Sequence, residues 1–255
     1  MNKMHYILAA AAVVLLAASC SRELKTRTFE YEDTATAEQF DAACNVSCSF
    51  EYVTGGVSRE LQDKINATII ATHILYDEAD GLTDVPVACE RWAAATLEGD
   101  ATDIEGFSDE FDEEDAWMFN FEYSRTGQFG DACKSRHLQT YNVSYDEYTG
   151  GAHGMYSVVA DVYDLTTGEI ISEDDLFEPG FQPGVKKLLA AALEDFLSGS
   201  DADPEMLFSS PEPNGNFSVS DTHVTWIYNP YEIAPYAMGS IELSVSWSDL
   251  KPFLK

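Results

Sequence analysis

The chain has 255 residues, of which 45% are hydrophobic and 12% aromatic. It can therefore bury a core large enough for one large domain or two intertwined subdomains, and it does not have the composition of a disordered protein. Its formal net charge of −31 repels nucleic acid and anionic lipid surfaces and attracts cationic proteins, cationic peptides or divalent metal. The same charge is also typical of an ordinary acidic exported protein.

The N-terminus has the pattern of a bacterial lipoprotein signal peptide. Residues 1–5 are short and basic, residues 6–18 form an apolar run of 13 residues, and small residues precede Cys20. This run is too short to span a bilayer comfortably, although a retained anchor helix is the alternative. We predict a signal peptide at residues 1–19, acylation of Cys20 and lipid anchoring in the cell envelope, at the outer membrane and facing the periplasm or the surface.

Residues 20–37 are polar and aperiodic, which predicts an acylated tether between the lipid and the folded body. Loss of Lys3 with the leader gives the mature chain a formal charge of about −32.

Four cysteines remain after Cys20, and an even number in an oxidising compartment suggests disulfides. Cys44 and Cys48 would lie about 13 Å apart on one strand, too far to bond each other. Each then needs a distant partner, for which Cys89 and Cys133 are candidates. A thiolate metal site is not predicted, because no Cys-x-x-Cys motif or histidine cluster accompanies these residues.

The N-terminal half begins with a strand at residues 44–53, where apolar and polar side chains alternate. Ser58 then caps a helix whose apolar stripe extends to Tyr76 and which carries His73, a surface or packed residue rather than a ligand. A second, shorter helix is predicted at residues 87–97. Between residues 98 and 115, ten of eighteen residues are acidic. Calcium or a cationic partner would suit this segment, but it lacks the ligand spacing of an EF-hand, and a solvated helix or loop is favoured.

Alternating apolar residues predict three strands near residues 117–123, 141–145 and 156–162, with a turn at Gly127 and Gly130. Short connections between consecutive strands indicate an antiparallel meander. Ser172 and Asp175 form a capping box for a short helix. A clear amphipathic helix follows at residues 183–196, then a hairpin at 217–228, a strand at 241–245 and a final helical turn.

Four motifs occur in the C-terminal half: Tyr-Thr-Gly-Gly-Ala-His at residues 148–153, Asp-Leu-Thr-Thr-Gly at 164–168, Asp-Asp-Leu-Phe at 174–177, and residues 231–239. Together they resemble the bacterial cell-envelope family of RsiV and PdaC. The resemblance implies an α+β fold, with a curved antiparallel sheet and helices packed on one side in two intertwined subdomains. It also implies a PdaC-type N-terminal subdomain at residues 38–130 and an RsiV-like domain at 131–255.

The resemblance further implies an extracytoplasmic role. The RsiV domain senses lysozyme by binding it, and PdaC joins the module to a separate deacetylase domain. This sequence shows neither a transmembrane anti-sigma architecture nor a deacetylase domain, which argues against signalling by cleavage and against intrinsic deacetylation.

No nucleophile elbow, zinc-protease motif, phosphate loop or dinucleotide fingerprint is present. The weak catalytic candidate is His153, which has Asp146, Glu147 and Tyr148 close in sequence and would act as an acid–base centre. Alternatively, its ring pins the turn. Gly150 and Gly151 are explained by a turn that requires positive φ.

Tyr231, Glu232 and Tyr236, together with Trp226, are candidates to line a groove for sugar rings or a protein partner, since aromatic faces beside a carboxylate suit both. The alternative is a loop that packs its tyrosines against the sheet. We expect His153 and the 231–239 loop to face one surface together, with Tyr148, Gly150 and Gly151 beside them.

These observations predict an envelope lipoprotein that binds a cationic protein such as lysozyme, or a peptidoglycan fragment, without a cofactor or metal. The alternatives are a glycan hydrolase or esterase that uses His153 and a carboxylate, and a structural lipoprotein.

Overall fold

The computed structural model describes residues 24–37, 42–107, 120–199 and 203–255. The predicted signal peptide and Cys20 lie outside these residues. Over the described residues the chain is a mixed α+β protein with two open sheets and five α-helices. The predicted fold class is confirmed.

The first sheet has the strand order β1-β2-β3-β4-β5, and the second has the order β6-β7-β8. The strands are β1 Lys25–Ala37, β2 Ala42–Gly55, β3 Phe121–Cys133, β4 Leu138–Tyr148, β5 Met155–Asp164, β6 Phe217–Val219, β7 His223–Tyr228 and β8 Ile241–Ser246. The helices are α1 Arg59–Ile69, α2 Val85–Phe107, α3 Glu173–Leu176, α4 Gln182–Ser198 and α5 Trp247–Leu250.

Most of the segment predicted to be a tether is a strand. β1 pairs antiparallel with β2 from Lys25↔Gly55 to Ala37↔Ala42. Along it Tyr31, Asp33 and Ala35 are buried, so one face of the strand joins the core. The prediction was wrong because β1 carries polar residues at most positions, and its partner strand, rather than its own hydrophobicity, makes it a strand.

The first sheet was predicted to be antiparallel, but it is mixed. β2 and β3 run parallel from Cys44↔Phe121 to Phe50↔Gly127. Helices α1 and α2 lie between these two strands in the chain and provide the long connection that parallel neighbours need. Gly127 and Gly130, predicted to form a turn, lie inside β3. A Cβ atom on Gly130 would lie 2.5 Å from the Asn142 side-chain nitrogen, so this glycine permits close cross-strand packing.

The predicted helix cap at Ser58 is confirmed, since its Oγ accepts a hydrogen bond from the Leu61 amide at 3.2 Å. α1 buries Ile65 and Ile69 and then continues as a π-helical turn, Ile70–Ile74. α2 is longer than predicted, because it extends from Val85 into the first part of the acidic segment. The rest of that segment lies largely outside the described residues.

The strands predicted from alternation at residues 141–145 and 156–162 are confirmed as β4 and β5. The capping box of α3, the amphipathic α4, the β6–β7 hairpin, β8 and the final helical turn are also confirmed. α4 packs against β8 and buries Val185, Leu189 and Leu193. Each such side chain contributes about 1.5–3 kcal/mol when fully buried.

The chain forms two compact units. Of the described residues, one unit contains those from 24 to 128 and from 144 to 156, and the other contains those from 129 to 143 and from 157 to 255. The units are interleaved along the sequence. The predicted single boundary at residue 130 does not describe this division.

Candidate functional site

The glycine-rich segment connects β4 to β5 and belongs to the first unit. Gly150 and Gly151 have φ values of 88° and 91°, where residues with a side chain are strained. The Tyr148 hydroxyl donates to the Gly151 carbonyl at 3.1 Å. A Cβ atom on Gly154 would lie 2.9 Å from the Glu147 carbonyl oxygen, so the chain can close here only with glycine. The segment is therefore a built hairpin corner.

His153 is exposed at this corner. Its Nδ1 lies 2.8 Å from the Gly154 carbonyl oxygen. A carbonyl can only accept, so Nδ1 carries the proton and donates. This contact matches the alternative in which the histidine pins the turn.

The 231–239 loop belongs to the second unit and presents two tyrosines. Tyr231 is 50% exposed and has a φ of 71°, an uncommon conformation for a tyrosine. Its amide donates to the Ala234 carbonyl at 2.9 Å, which closes a tight turn. The Tyr231 and Tyr236 rings are tilted neighbours with centroids 6.1 Å apart. Ile233 and Ala234 are buried beneath the turn, so it is anchored in the core.

Glu232 braces this loop. One carboxylate oxygen accepts from the Asn229 amide at 3.1 Å, and the other accepts from the Asn214 side-chain nitrogen at 2.9 Å. Its carboxylate is thus engaged within the protein and holds the backbone that carries Tyr231. The predicted aromatic pair is brought together with its neighbouring carboxylate, which acts as a support.

Two asparagines fix the base of the loop to β5. The Asn229 side chain accepts from the Val158 amide at 2.7 Å and donates to the Val158 carbonyl at 3.0 Å. Asn216 accepts from the Ala160 amide at 2.9 Å and donates to the same Val158 carbonyl at 2.8 Å. These side-chain amides make the hydrogen bonds to this part of β5 that a neighbouring strand would otherwise make. The loop therefore rises from a rigid base.

The prediction that Trp226 lines a groove is wrong. Its side chain is fully buried, and its Nε1 donates to a Glu173 carboxylate oxygen at 2.6 Å. It stacks on Phe177, with ring centroids 6.2 Å apart. Trp226 belongs to the core because residue 226 alternates with the outward-facing Thr225 on β7.

A cation–π cluster in the first unit was not predicted. The Arg125 guanidinium lies 4.4 Å from the Trp92 ring centroid, with the Tyr76 and Tyr145 rings at 5.4 and 5.6 Å. Its Nη1 donates to the carbonyls of His73 and Ile74 at 3.1 and 3.0 Å. Arg125 lies in a strand between polar neighbours. The sequence around it is therefore the same as that of an exposed arginine, and it could not predict the cluster.

His73 is buried in the π-helical turn, as the packed alternative for this residue predicted. Its Nδ1 lies 2.6 Å from the Tyr145 hydroxyl. Both groups support the Arg125 cluster from β4 and from the end of α1.

All four cysteines that follow the leader are buried free thiols, so the structure holds no disulfide among them. Cys44 and Cys48 share β2, which places them as the sequence argument assumed. The Cys44 thiol donates to an Asp100 carboxylate oxygen at 2.9 Å. Burial and this neighbouring carboxylate raise the pKa of the Cys44 thiol well above its usual range, which keeps it protonated.

Over the described part of the chain, no group of three or more histidine, cysteine or acidic side chains is arranged to hold a metal ion. No helix within the same ranges is long and apolar enough to cross a membrane. Because His153 and the 231–239 loop lie in different units, their shared surface stays a prediction.

The four motifs and this fold can be compared with known proteins. Residues 174–248 match the family described as "Protein of unknown function (DUF3298)". The match spans α3, α4 and the second sheet, including the 231–239 loop. Among curated proteins, none matches the chain.

Two solved structures share the fold. A DUF3298 family member from Bacteroides fragilis NCTC 9343 has a TM-score of 0.80 at 24% identity, with 91% of this chain and 94% of that chain covered. A DUF3298 family protein from Pseudomonas aeruginosa PAO1 has a TM-score of 0.61 at 19% identity, with 91% and 95% covered. At these identities the likeness establishes the fold alone.

Proposed function

We propose that this chain is a lipid-anchored binding module of the bacterial envelope. It holds a cationic protein of the lysozyme kind, or a peptidoglycan fragment, through the 231–239 loop. The observation that carries the proposal is the 50% exposed Tyr231, which neighbours the partly exposed Tyr236 on a braced backbone.

The loop is preorganised for binding. Tyr231 is held in a positive-φ conformation by the turn to Ala234, by Glu232 and by the Asn229 contacts to β5. Backbone strain of this kind persists only where the surroundings hold it, and it is concentrated at functional sites. An aromatic side chain that is already fixed loses little conformational entropy when it binds. Tyrosine also offers both a flat apolar face and a hydroxyl, which suits sugar rings and protein side chains.

The charge of the chain favours a cationic partner. A net charge of −31 speeds the approach of a basic protein, and this attraction weakens as the salt concentration rises. The resemblance to the RsiV and PdaC family supports an extracytoplasmic setting, and the sequence before Cys20 supports a lipid anchor. The fold shared with the two DUF3298 proteins is compatible with this proposal and names no ligand.

The test is a titration of the soluble body, residues 21–255, with lysozyme and with muropeptides at two salt concentrations. We expect saturable binding of one of them, and for lysozyme we expect weaker binding at higher salt. Tyr231→Ala should weaken binding at least tenfold, because hot-spot tyrosines contribute about 2 kcal/mol or more.

Val87→Ala is the control, because Val87 is also an apolar side chain that is largely exposed, and it lies in the other unit. It should bind like the wild type. If neither ligand binds and envelope glycan is cleaved in a manner abolished by His153→Ala, the chain is an enzyme. If there is neither binding nor turnover, it is a structural lipoprotein.

A further inference from the structure

A cavity of about 400 Å³ lies in the second unit, and none of its lining residues belongs to the 231–239 loop. Leu138, Ile170 and Leu176 contribute an aliphatic part. Arg136 contributes the positive charge, and the negative charges come from Asp164, Glu169 and Asp175. Its wall includes parts of the 164–168 and 174–177 motifs. Ligand pockets in proteins begin at about this volume and combine apolar walls with a few placed polar groups.

Backbone contacts bring the opposite charges to one place. Arg136 ends the 3-10 turn between β3 and β4, and the next residue, His137, accepts from the Leu165 amide at 2.8 Å. This bond joins the β3–β4 connection to the turn that begins at Asp164. Across that turn, the Asp164 amide donates to the Glu169 carbonyl at 2.9 Å. Arg136 and Asp164 therefore line the same cavity because two hydrogen-bonded turns are held together.

Arg136 is oriented but unpaired within the described residues. Its guanidinium carbon lies 4.8 Å from the Trp247 ring centroid, and Trp247 is itself fixed by a 2.8 Å hydrogen bond from Nε1 to the Ser220 carbonyl. Across the described ranges, no carboxylate lies within ion-pair distance of it. A guanidinium has a planar fork of N–H donors that matches a carboxylate in two-point geometry.

The two aspartates supply the opposite pole. One oxygen of Asp164 accepts from the Thr166 amide at 2.7 Å, and one oxygen of Asp175 accepts from the Ser172 amide and hydroxyl at 2.8 and 2.7 Å. Among the described residues, the second oxygen of each carboxylate has no hydrogen-bond partner, so it can accept from a ligand. The Ser172 hydrogen bonds, with a smaller effect of Lys255, lower the pKa of Asp175, so this group is anionic at neutral pH.

We propose that this pocket binds a zwitterionic aliphatic ligand, either a free amino acid or the end of a short peptide. The ligand carboxylate pairs with Arg136, the ammonium pairs with Asp164 and Asp175, and the aliphatic side chain packs on Leu138, Ile170 and Leu176. The proposal does not rest on the 231–239 loop. It concerns a second site with its own ligand chemistry.

The test is isothermal titration of the full chain in detergent with the dipeptide Leu-Leu and with free leucine. N-acetyl-Leu-Leu lacks the ammonium, and the Leu-Leu amide lacks the carboxylate. We expect Leu-Leu or leucine to bind saturably, and we expect each blocked analogue to bind at least tenfold more weakly. The preferred compound distinguishes a peptide end from an amino acid.

Two variants locate the poles. Arg136→Gln should weaken Leu-Leu binding about tenfold while leaving the affinity for the amide analogue unchanged. Asp164→Asn should weaken Leu-Leu binding about tenfold while leaving the affinity for the acetylated analogue unchanged. The turn should remain intact, since the asparagine oxygen can still accept from the Thr166 amide. The control is Arg27→Gln, which removes an exposed arginine on β1 and should bind like the wild type.

The proposal is overturned if neither compound binds saturably at millimolar concentration, or if the blocked analogues bind as well as Leu-Leu. It is also overturned if Arg27→Gln weakens binding as much as Arg136→Gln, since the effect is then one of net charge. Tyr231→Ala should leave Leu-Leu binding unchanged, so failure here is separable from failure of the 231–239 loop.

Discussion

Replacement of Arg125 by methionine should destabilise the first unit more than the same replacement of an exposed arginine does. Methionine retains an unbranched apolar stem but removes the cation and all its N–H donors. The variant therefore loses the interaction with Trp92 at 4.4 Å and both hydrogen bonds from Nη1 to the carbonyls of His73 and Ile74.

The magnitude follows from these contacts. A cation over a tryptophan ring contributes about 0.5–2 kcal/mol, and a hydrogen bond from a charged donor about 1.5–3 kcal/mol. Both hydrogen bonds come from one nitrogen, so we count them as one bond and expect a loss of about 2–5 kcal/mol in the free energy of unfolding. Arg125→Lys keeps the charge without the planar fork and should lose about half as much.

The assay is urea unfolding, with amide hydrogen exchange of α2 as a local readout. The control is Arg59→Met, which removes a side chain that is 79% exposed and paired with Asp63 at i, i+4. It should cost no more than about 0.5 kcal/mol. If Arg125→Met costs no more than Arg59→Met, or if exchange in α2 is unchanged, the cluster does not hold this unit together.

Three further predictions concern the second unit. Tyr163→Phe should be neutral or stabilising by about 1 kcal/mol in thermal unfolding, because the Tyr163 hydroxyl is buried and has no hydrogen-bond partner among the described residues; a large loss would show that the hydroxyl is satisfied. Gly184→Ala should lower stability by about 1–3 kcal/mol, because its Cβ would overlap the Phe253 ring, whereas Gly199→Ala at the other end of α4 should change it by less than about 0.5 kcal/mol; equal effects would contradict the packing argument. Asp175→Asn should reduce the loss of stability on acidification. The pKa of Asp175 is lowered from 3.8, so its contribution is complete above that value and is lost as pH falls through the folded-state pKa, and melting temperatures at pH 6, 4 and 3 should show the difference.

Features encoded by a few neighbouring residues were predicted well. Ser58 and Leu61 form the cap of α1, Ser172 and Asp175 form the box of α3, and the apolar stripe of α4 runs along one face. Each depends on residues three or four positions apart, so a short stretch of sequence contains all the necessary information. The α+β fold class followed from the same local patterns.

Features that depend on distant partners were predicted poorly. β1 is a strand because β2 pairs with it along its whole length, and β2 lies beside β3 because two helices return the chain to the same sheet. Trp226 and Tyr231 are both aromatic residues of one segment. Trp226 is buried on β7 and bonded to Glu173, whereas Tyr231 is half exposed in the turn that follows β7.

The candidate sites show the same division. The sequence by itself determined that residues 148–154 form a glycine corner and that residues 231–239 form a tyrosine-bearing loop, since glycine, proline and aromatic residues restrict a chain locally. Only the tertiary structure decided that Glu232 braces the loop, that Arg125 lies among aromatic rings, and that Arg136 lines one cavity with Asp164 and Asp175. These arrangements join side chains from separate elements, and a charged side chain carries no local sign of the partner that folding will place beside it.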